Sequence, residues 1–439
     1  MADGAKSNHP VVQAQLDRLS MLSPGRDVLG LSRISALLDA LGNPHRQLPP
    51  SFHVAGTNGK GSTCSFLRAM LEAQGYRVHV FTSPHLVRYN ERIRLAGQLI
   101  DDETLAALMS EVLDASGTIH PSFFEVTTAV AMLAFARTPA DVCIFEVGLG
   151  GRLDATNVLE RPISCGIAGL AIDHKEFLLA PESGVPTDPL ARIAFEKAGI
   201  AKAGAPLVTQ TYTPPMEEAI SQVAAKTGPL WFKRDRNWFA ERGADSIDYR
   251  DEAGELTLPL PTLDGTHQAD NAALAVAMLR YQTELTIDAQ ALAAGIQTAH
   301  WPARLQKLAA GPLTALAPDA DIWLDGGHNP HAAREINKFL DGKGPVTLIF
   351  GLLANKDLEG YLAELKGLPL SLVAIPVPDH QSHAPAAVAQ AAKVQGFEAK
   401  TAGNVFEALS LADHSETILI AGSLYLAGEV LRLNEELPA

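Results

Sequence analysis

Between about residues 51 and 210 the chain alternates short apolar runs with stretches whose apolar residues recur every three or four positions. Short continuous runs suit strands covered on both faces, and the three-to-four spacing suits helices laid across them. Residues 52–55, 77–81, 141–146 and 163–171 are predicted strands, and 62–74 and 123–137 predicted core-facing helices. Alternation of this kind builds a parallel sheet with helices on both faces. Residues 228–262 break the rhythm with β-like pieces and the turn residues Asp251, Gly254 and Pro259, which predicts a small antiparallel excursion. Predicted helices at 268–281 and 287–298 run up to Trp301-Pro302, where proline, lacking an N–H and restricting its neighbour, stops the helix.

The βα alternation then restarts, with strands at 322–325, 346–350, 372–376 and 417–421 and helices from His331, near Leu358 and from Ala384. The expectation is an α/β protein of two domains, 1–299 and 300–439, the second a smaller doubly wound unit. Length agrees, since 439 residues exceed what a single core usually serves.

Charge narrows the partners. Lys+Arg 35 against Asp+Glu 50 leaves a net charge of −15, which argues against nucleic acid or an anionic membrane as a surface-bound partner. An anionic substrate must then be held by local positive charge. Cys64, Cys143 and Cys165 lie in apolar stretches without CxxC spacing and read as buried thiols of a reducing cytoplasm. The polar first ten residues lack a signal-peptide core, and no run of about 20 apolar residues follows, so a soluble cytoplasmic protein is expected. With no exposed apolar stripe in the pattern, a monomer is the expectation.

Phe52-His-Val-Ala-Gly-Thr-Asn-Gly-Lys-Gly-Ser62 reads as a strand, a glycine-rich turn, a lysine and a helix start. Successive backbone N–H groups in such a turn can cradle phosphate oxygens, the helix N-terminus adds partial positive charge, and Lys60 can reach the outer phosphates. A standard phosphate loop places Ser or Thr directly after the lysine, whereas here Gly61 precedes Ser62. Glu146 ends a strand at the ligand-binding edge of the sheet, beside a turn rich in glycine (148–151) that is costly in backbone entropy. His174 ends another strand segment at the same edge. Lys197, by contrast, reads on its own as a solvated cation on a helix. Asp325-Gly-Gly-His328 ends a strand and offers either a carboxylate for a ribose hydroxyl or a plain turn. Arg304, directly after the domain joint, could neutralise phosphate charge or simply be a surface cation.

These pieces, in order, resemble the folylpolyglutamate synthase family, which stands with the Mur peptide ligases among ATP-dependent amide ligases. The resemblance runs along almost the whole chain: Gly56-Thr-Asn-Gly-Lys-Gly-Ser62, Thr82-Ser-Pro-His85 through Asn90-Glu-Arg-Ile, Phe124-Glu125, Glu146 to Asn157, Asp173-His174, Glu196-Lys-Ala-Gly-Ile200, His267-Gln268 with Asn271, Arg304-Leu-Gln, Asp325 to Pro330, Asn355-Lys-Asp357 and Ala421-Gly-Ser-Leu-Tyr425. It implies a phosphate-loop ATPase domain followed by a Rossmann-like ligase domain. The extra loop glycine is the family's own form.

The resemblance implies that Thr57, Asn58, Gly59, Lys60, Gly61 and Ser62 hold ATP, with Asn271, Arg304, Asp325 and His328 completing the nucleotide contacts. Ser83, Glu146 and His174 would bind magnesium, two ions in all, and Lys197 would be carbamylated. Lys60, Lys197 and Arg304 would serve the chemistry. The pterin end of a folate would meet Leu29, Gly30 and Leu31, Ser122, Phe123, Phe124 and Glu125, and Leu153, Asp154 and Ala155, with Ser423 near incoming glutamate. The implied reaction joins L-glutamate to dihydropteroate and to reduced folates. Folylpolyglutamate synthase activity alone, a Mur-type amino-acid ligase, and a nucleotide-switched binding protein stand as alternatives. Three departures stand out: a long, Pro- and Gly-rich interval from His174 to Lys197, Ala303 where the family commonly has glycine, and Gly327 where it has alanine.

Overall fold

The computed structural model describes residues 5–22, 29–414 and 417–438; the first four residues of the polar N-terminal stretch lie outside them. The chain divides into two compact units, Met1–Thr262 with Gln268–His300, and Leu263–His267 with Trp301–Ala439. The short piece 263–267, which packs with the second unit although it lies before residue 300, has no counterpart in the sequence reading.

The first unit is built on an eight-stranded sheet. Its strands are β1 (Ser51–Ala55), β2 (Val78–Phe81), β3 (Ile93–Leu95), β4 (Gln98–Leu99), β5 (Val142–Glu146), β6 (Ser164–Ile167), β7 (Pro206–Thr209) and β8 (Leu230–Lys233), in the order β4-β3-β2-β5-β1-β6-β7-β8. β2, β5, β1, β6, β7 and β8 run parallel, while β3 and β4 add an antiparallel edge. The central strands β1 and β5 are buried at every position, as their unbroken apolar runs require. One apolar cluster joins Phe81, Cys143 and Phe145 of the sheet to helices Pro10–Leu22, Ser32–Ala40, Asp102–Ala115 and Phe123–Arg137. Another joins Ala55, Cys165, Ile167 and Leu207 to helices Pro189–Ala198 and Pro214–Thr227. All three cysteines are free and buried.

Two sequence expectations need correction. The strand expected at 163–171 ends at Ile167: Ala168 still donates to the Ala55 carbonyl at 2.8 Å, but beyond it the chain straps the turn after β1, Thr57 and Asn58 donating their backbone N–H groups to the Gly169 carbonyl at 2.8 and 3.2 Å. Residues 230–233 were expected in the antiparallel excursion, but β8 pairs in parallel with β7, Leu207 facing Trp231, and extends the large sheet. The excursion itself is β9 (Phe239–Arg242), β10 (Ser246–Asp251) and β11 (Gly254–Pro259), a three-stranded antiparallel sheet.

In the second unit the strands are β12 (Gln306–Lys307), β13 (Ile322–Asp325), β14 (Val346–Phe350), β15 (Leu370–Ala374), β16 (Glu398–Thr401) and β17 (Thr417–Ala421), ordered β12-β13-β17-β14-β15-β16. All pairings are parallel except that of β12. Leu348, Phe350, Leu372 and Leu419 form its core with Ile336 and Leu362 of the crossover helices. Among the described residues no helix is long and apolar enough to cross a membrane.

Candidate active site

β1 delivers the chain into the turn 56–59, and the helix Lys60–Ala73 begins at once, with Gly59 as its N-cap at φ 86°. A left-handed residue here favours glycine, and there is a second constraint: a Cβ at Gly59 would collide with the Asn271 side-chain oxygen. Asn271, from the helix His267–Tyr281, therefore sits directly against the turn, its own amide nitrogen given to Gln268 Oε1 at 3.0 Å. Thr57 spends its hydroxyl on the Ala171 carbonyl at 2.7 Å, which fixes the loop rather than leaving that group for a ligand. The N–H groups of Lys60, Gly61 and Ser62 occupy the first turn, where helix geometry supplies no partners, so they form a ready anion site.

Lys60 Nζ lies 3.9 Å from Glu146 Oε1 at the end of β5, and Glu146 Oε2 accepts the Ser83 backbone N–H at 3.3 Å. Lysine, carboxylate and Ser83 thus meet at one sheet edge. His174 closes the segment that straps the loop, in a left-handed conformation (φ 49°), its N–H bonded to Asp173 Oδ1 at 2.8 Å. Among the described residues no three His, Cys, Asp or Glu side chains gather as a metal cage. Glu146 and Ser83 offer oxygen donors, the kind magnesium takes alongside waters and phosphates.

Lys197 overturns its isolated reading as a solvated cation. It is 4% exposed, and its ammonium is depressed to about 7 by burial first, then by the charge of Lys60, against the opposing pull of Asp173, Asp154 and Glu196. Burial comes from a contact with no local signal. The glycine-rich turn after Glu146 lies on the end of the helix Pro189–Ala198: Arg152 N–H bonds the Glu196 carbonyl at 2.7 Å, and Asn157 Nδ2 reaches the Gly199 carbonyl at 3.1 Å. Arg152 also pairs with Glu196 at 3.0 Å and with Glu182 at 2.6 Å, and Glu182 bridges to Arg192 at 2.8 Å. Within the long interval after His174, Glu182 is thereby tied to both the glycine-rich turn and the helix that carries Lys197.

The residues expected around a pterin have mixed surroundings. Ser122 and Glu125 form a reciprocal cap on the helix Phe123–Arg137, and Glu125 pairs with Arg33 at 3.0 Å. Phe123 is buried, and the half-buried Phe124 ring lies so close over Gly148 that a Cβ there would collide with it. Asp154 is 2% exposed; its carboxylate accepts the backbone N–H groups of Leu149 at 2.8 Å and Thr156 at 3.0 Å, and the Thr156 hydroxyl, so it braces its own turn. Burial pushes its pKa above the ordinary carboxylate range, against the lowering effect of these hydrogen bonds. Leu153 is partly exposed and Ala155 buried beside it. Leu29, Gly30 and Leu31 are partly exposed; Leu29 adjoins the cluster holding Val147 and Leu178, and Leu31 adjoins the one holding Phe123.

In the second unit Asp325 ends β13 and accepts the N–H of Leu305 at 2.9 Å and of Gly327 at 2.7 Å, one per oxygen. Each oxygen keeps a further lone pair for a hydroxyl. Arg304 gives a guanidinium N–H to the Ala303 carbonyl at 2.9 Å, and His328 Nδ1 lies 3.1 Å from the Gly326 carbonyl. Gly326 lets Arg304 approach, since a Cβ there would lie 3.0 Å from Arg304 Nη1. Ser423 caps the helix Leu424–Leu433 through Tyr425 N–H at 3.2 Å. Sequence reasoning missed Asp173 and Glu196 as the acidic neighbours of Lys197, although both lie in the segments that carry the resemblance.

Comparison with known proteins places the chain among relatives of known kind. Residues 313–424 match the model of the Mur ligase, glutamate ligase domain. The dihydrofolate synthase/folylpolyglutamate synthase of Escherichia coli (strain K12) is 37% identical over 344 residues, 77% of this chain and 76% of that protein. The structure of E. coli FolC in complex with DHPP and ADP superposes with a TM-score of 0.86 at 31% identity, covering 99% of both chains. A bifunctional folylpolyglutamate synthase/dihydrofolate synthase with Mn, AMPPNP and L-glutamate bound gives a TM-score of 0.82 at 31% identity, covering 98% of both.

Proposed function

The chain belongs to the dihydrofolate synthase/folylpolyglutamate synthase family of the Mur ligase superfamily, and we propose that it joins L-glutamate, at the expense of ATP, to dihydropteroate and to reduced folates. The observation that carries the reading is the meeting of Lys60, Glu146 and Ser83 at one sheet edge, with the buried amine of Lys197 under the influence of Lys60.

A free carboxylate resists attack by an amine because it is charged and has no good leaving group. An oxygen of the pterin-linked carboxylate attacks the γ-phosphorus of ATP, the bond to ADP breaks, and an acyl phosphate forms. Glutamate's neutral amine then adds to the acyl carbon, and the tetrahedral intermediate collapses to the amide with release of phosphate. Lys60 and the helix N-terminus offset charge on the transferring phosphoryl group. Glu146, Ser83 and His174 would hold the divalent metal, two ions by the family pattern, which supplies Lewis-acid neutralisation of phosphate charge when bound.

Lys197 is assigned a carbamate. An ammonium cannot ligate a cation, but an amine titrating near 7 is substantially neutral at physiological pH and can add to carbon dioxide, losing a proton and gaining two oxygen donors. For the second unit the assignment is nucleotide contact by Arg304, Asp325 and His328, with Ser423 facing glutamate. Phe124, framed by Ser122, Phe123 and Glu125, is assigned to the pterin, with Leu29, Gly30 and Leu31, and with Leu153 and Ala155 held in place by Asp154. The enzyme is proposed to act as a cytoplasmic monomer.

Turnover with dihydropteroate, a reduced folate or neither, each with glutamate and ATP, tests the reading. Amide product from both acceptors is expected. Product from the reduced folate alone would remove the dihydrofolate synthase half, and product from neither would remove the whole assignment.

A further inference from the structure

Asn271 can guard the Gly59 turn only if the start of its helix is held still. That helix begins where the chain returns from 263–267, which packs with the second unit, to Gln268 in the first. Its first turn is therefore an entry point and needs an anchor. Two residues at the C-terminal edge of the large sheet supply one. Gln210, directly after β7, donates its side-chain amide to the Asp270 carbonyl at 2.8 Å. Arg234, directly after β8, donates to the Asp270 carboxylate at 2.6 Å, to Gln210 Oε1 at 2.9 Å and to the Ala240 carbonyl at 2.6 Å, with its guanidinium 5.6 Å from the fully buried Trp238 ring.

The fork of arginine suits this arrangement, because its planar donors can serve three acceptors at fixed angles. Asp270 is held twice, its half-exposed carboxylate by a charge-assisted bond from Arg234 and its carbonyl by the Gln210 amide, so two contacts from two strand ends meet at one residue of the helix start. Asp270 is the residue before Asn271, and Asn271 is the side chain that presses on Gly59. The path from Arg234 to the phosphate loop thus has two contacts, Arg234 with Asp270 and Asn271 with Gly59, joined by one step along the helix backbone.

We infer that Arg234, together with Gln210, is a positioning residue for the nucleotide loop, acting through Asp270 and Asn271. The inference rests on the ATP reading of that loop. It concerns binding geometry rather than chemistry, so its loss should appear in ATP affinity before it appears in turnover.

The test is titration of the full-length protein with Mg-ADP and steady-state kinetics in ATP, for wild type, Lys60→Ala, Arg234→Ala, Arg234→Lys, Asp270→Asn and the Arg234→Ala/Asp270→Asn pair. Arg234→Ala is expected to weaken nucleotide binding and raise the KM for ATP by about five- to tenfold, with a smaller change in kcat. Arg234→Lys should recover part of the loss, since lysine can reach Asp270 but cannot serve all three acceptors. Asp270→Asn should move in the same direction even if Arg234→Ala proves unstable, and the pair should add little to either single change, as members of one path do. If wild type binds nucleotide and Lys60→Ala does not, while folded Arg234→Ala and Asp270→Asn bind like wild type, the inference is overturned. Wild type failing to bind nucleotide at all would instead overturn the ATP reading beneath it.

Discussion

Gly151 is pressed against the backbone of Lys197: a Cβ at Gly151 would lie 3.0 Å from the Lys197 carbonyl oxygen and 2.8 Å from that of Glu196. The turn that follows Glu146 and the helix that carries Lys197 are therefore built as one piece. This contact, rather than spacing along the chain, fixes the turn against the helix end.

Gly151→Ala should accordingly separate them. The extra methyl meets backbone, which cannot swing aside as a flexible side chain could, so the helix must retreat at a cost of about 1 to 3 kcal/mol. Lower stability in chemical denaturation, with a disproportionate loss of ligation in the protein that remains folded, is the expected outcome. Full activity in Gly151→Ala would show that the packing has slack.

Lys197 sits at a stability cost that pH should reveal. Its folded-state value of about 7 lies below the ordinary 10.5, so between those values the unfolded chain binds more protons and stability rises with pH. In buffer free of metal and bicarbonate, Lys197→Met should be more stable than wild type by a few kcal/mol below pH 7. That advantage should fade as pH climbs toward 10. Activity should be lost in Lys197→Met, and in Lys197→Ala partly restored by a short added carboxylic acid in the place of the carbamate. A pH-independent stability difference would mean that the amine is solvated.

Lys60 and Glu146 should separate phosphate work from metal work. Lys60→Ala is expected to lower turnover by about 100-fold or more without unfolding the chain. Glu146→Gln should raise the magnesium needed for half-maximal rate by about tenfold, as should substitution of His174. Magnesium titrations that coincide with wild type in both variants would place the metal elsewhere.

What was legible in the sequence was local. β1, the Gly59 turn and the helix after it follow from an apolar run, a residue free to take positive φ and a lysine at the helix start. The helix at 123–137 follows from apolar residues recurring every three or four positions. Lys197 was not legible from its own helix, because its burial depends on a glycine-rich turn some 45 residues earlier, folded back onto Glu196 and Lys197. β8 was misjudged for a related reason: four residues among turn formers say nothing of a parallel partner at Leu207. β16, Glu398–Thr401, is a mostly exposed edge strand without apolar alternation, so nothing in its composition marks it. The Arg234–Asp270 pair joins a strand end to a helix start and has no motif at all.

The central claim is that ATP activates the pterin-linked carboxylate as an acyl phosphate, and isotope transfer tests it most directly. With dihydropteroate carrying 18O in its carboxylate, glutamate and unlabelled ATP, the oxygen that attacks the γ-phosphorus must leave with that phosphorus when the amide forms. One 18O in each released phosphate, and the other retained in the amide carbonyl, is the predicted result. Phosphate free of label while amide accumulates would contradict it.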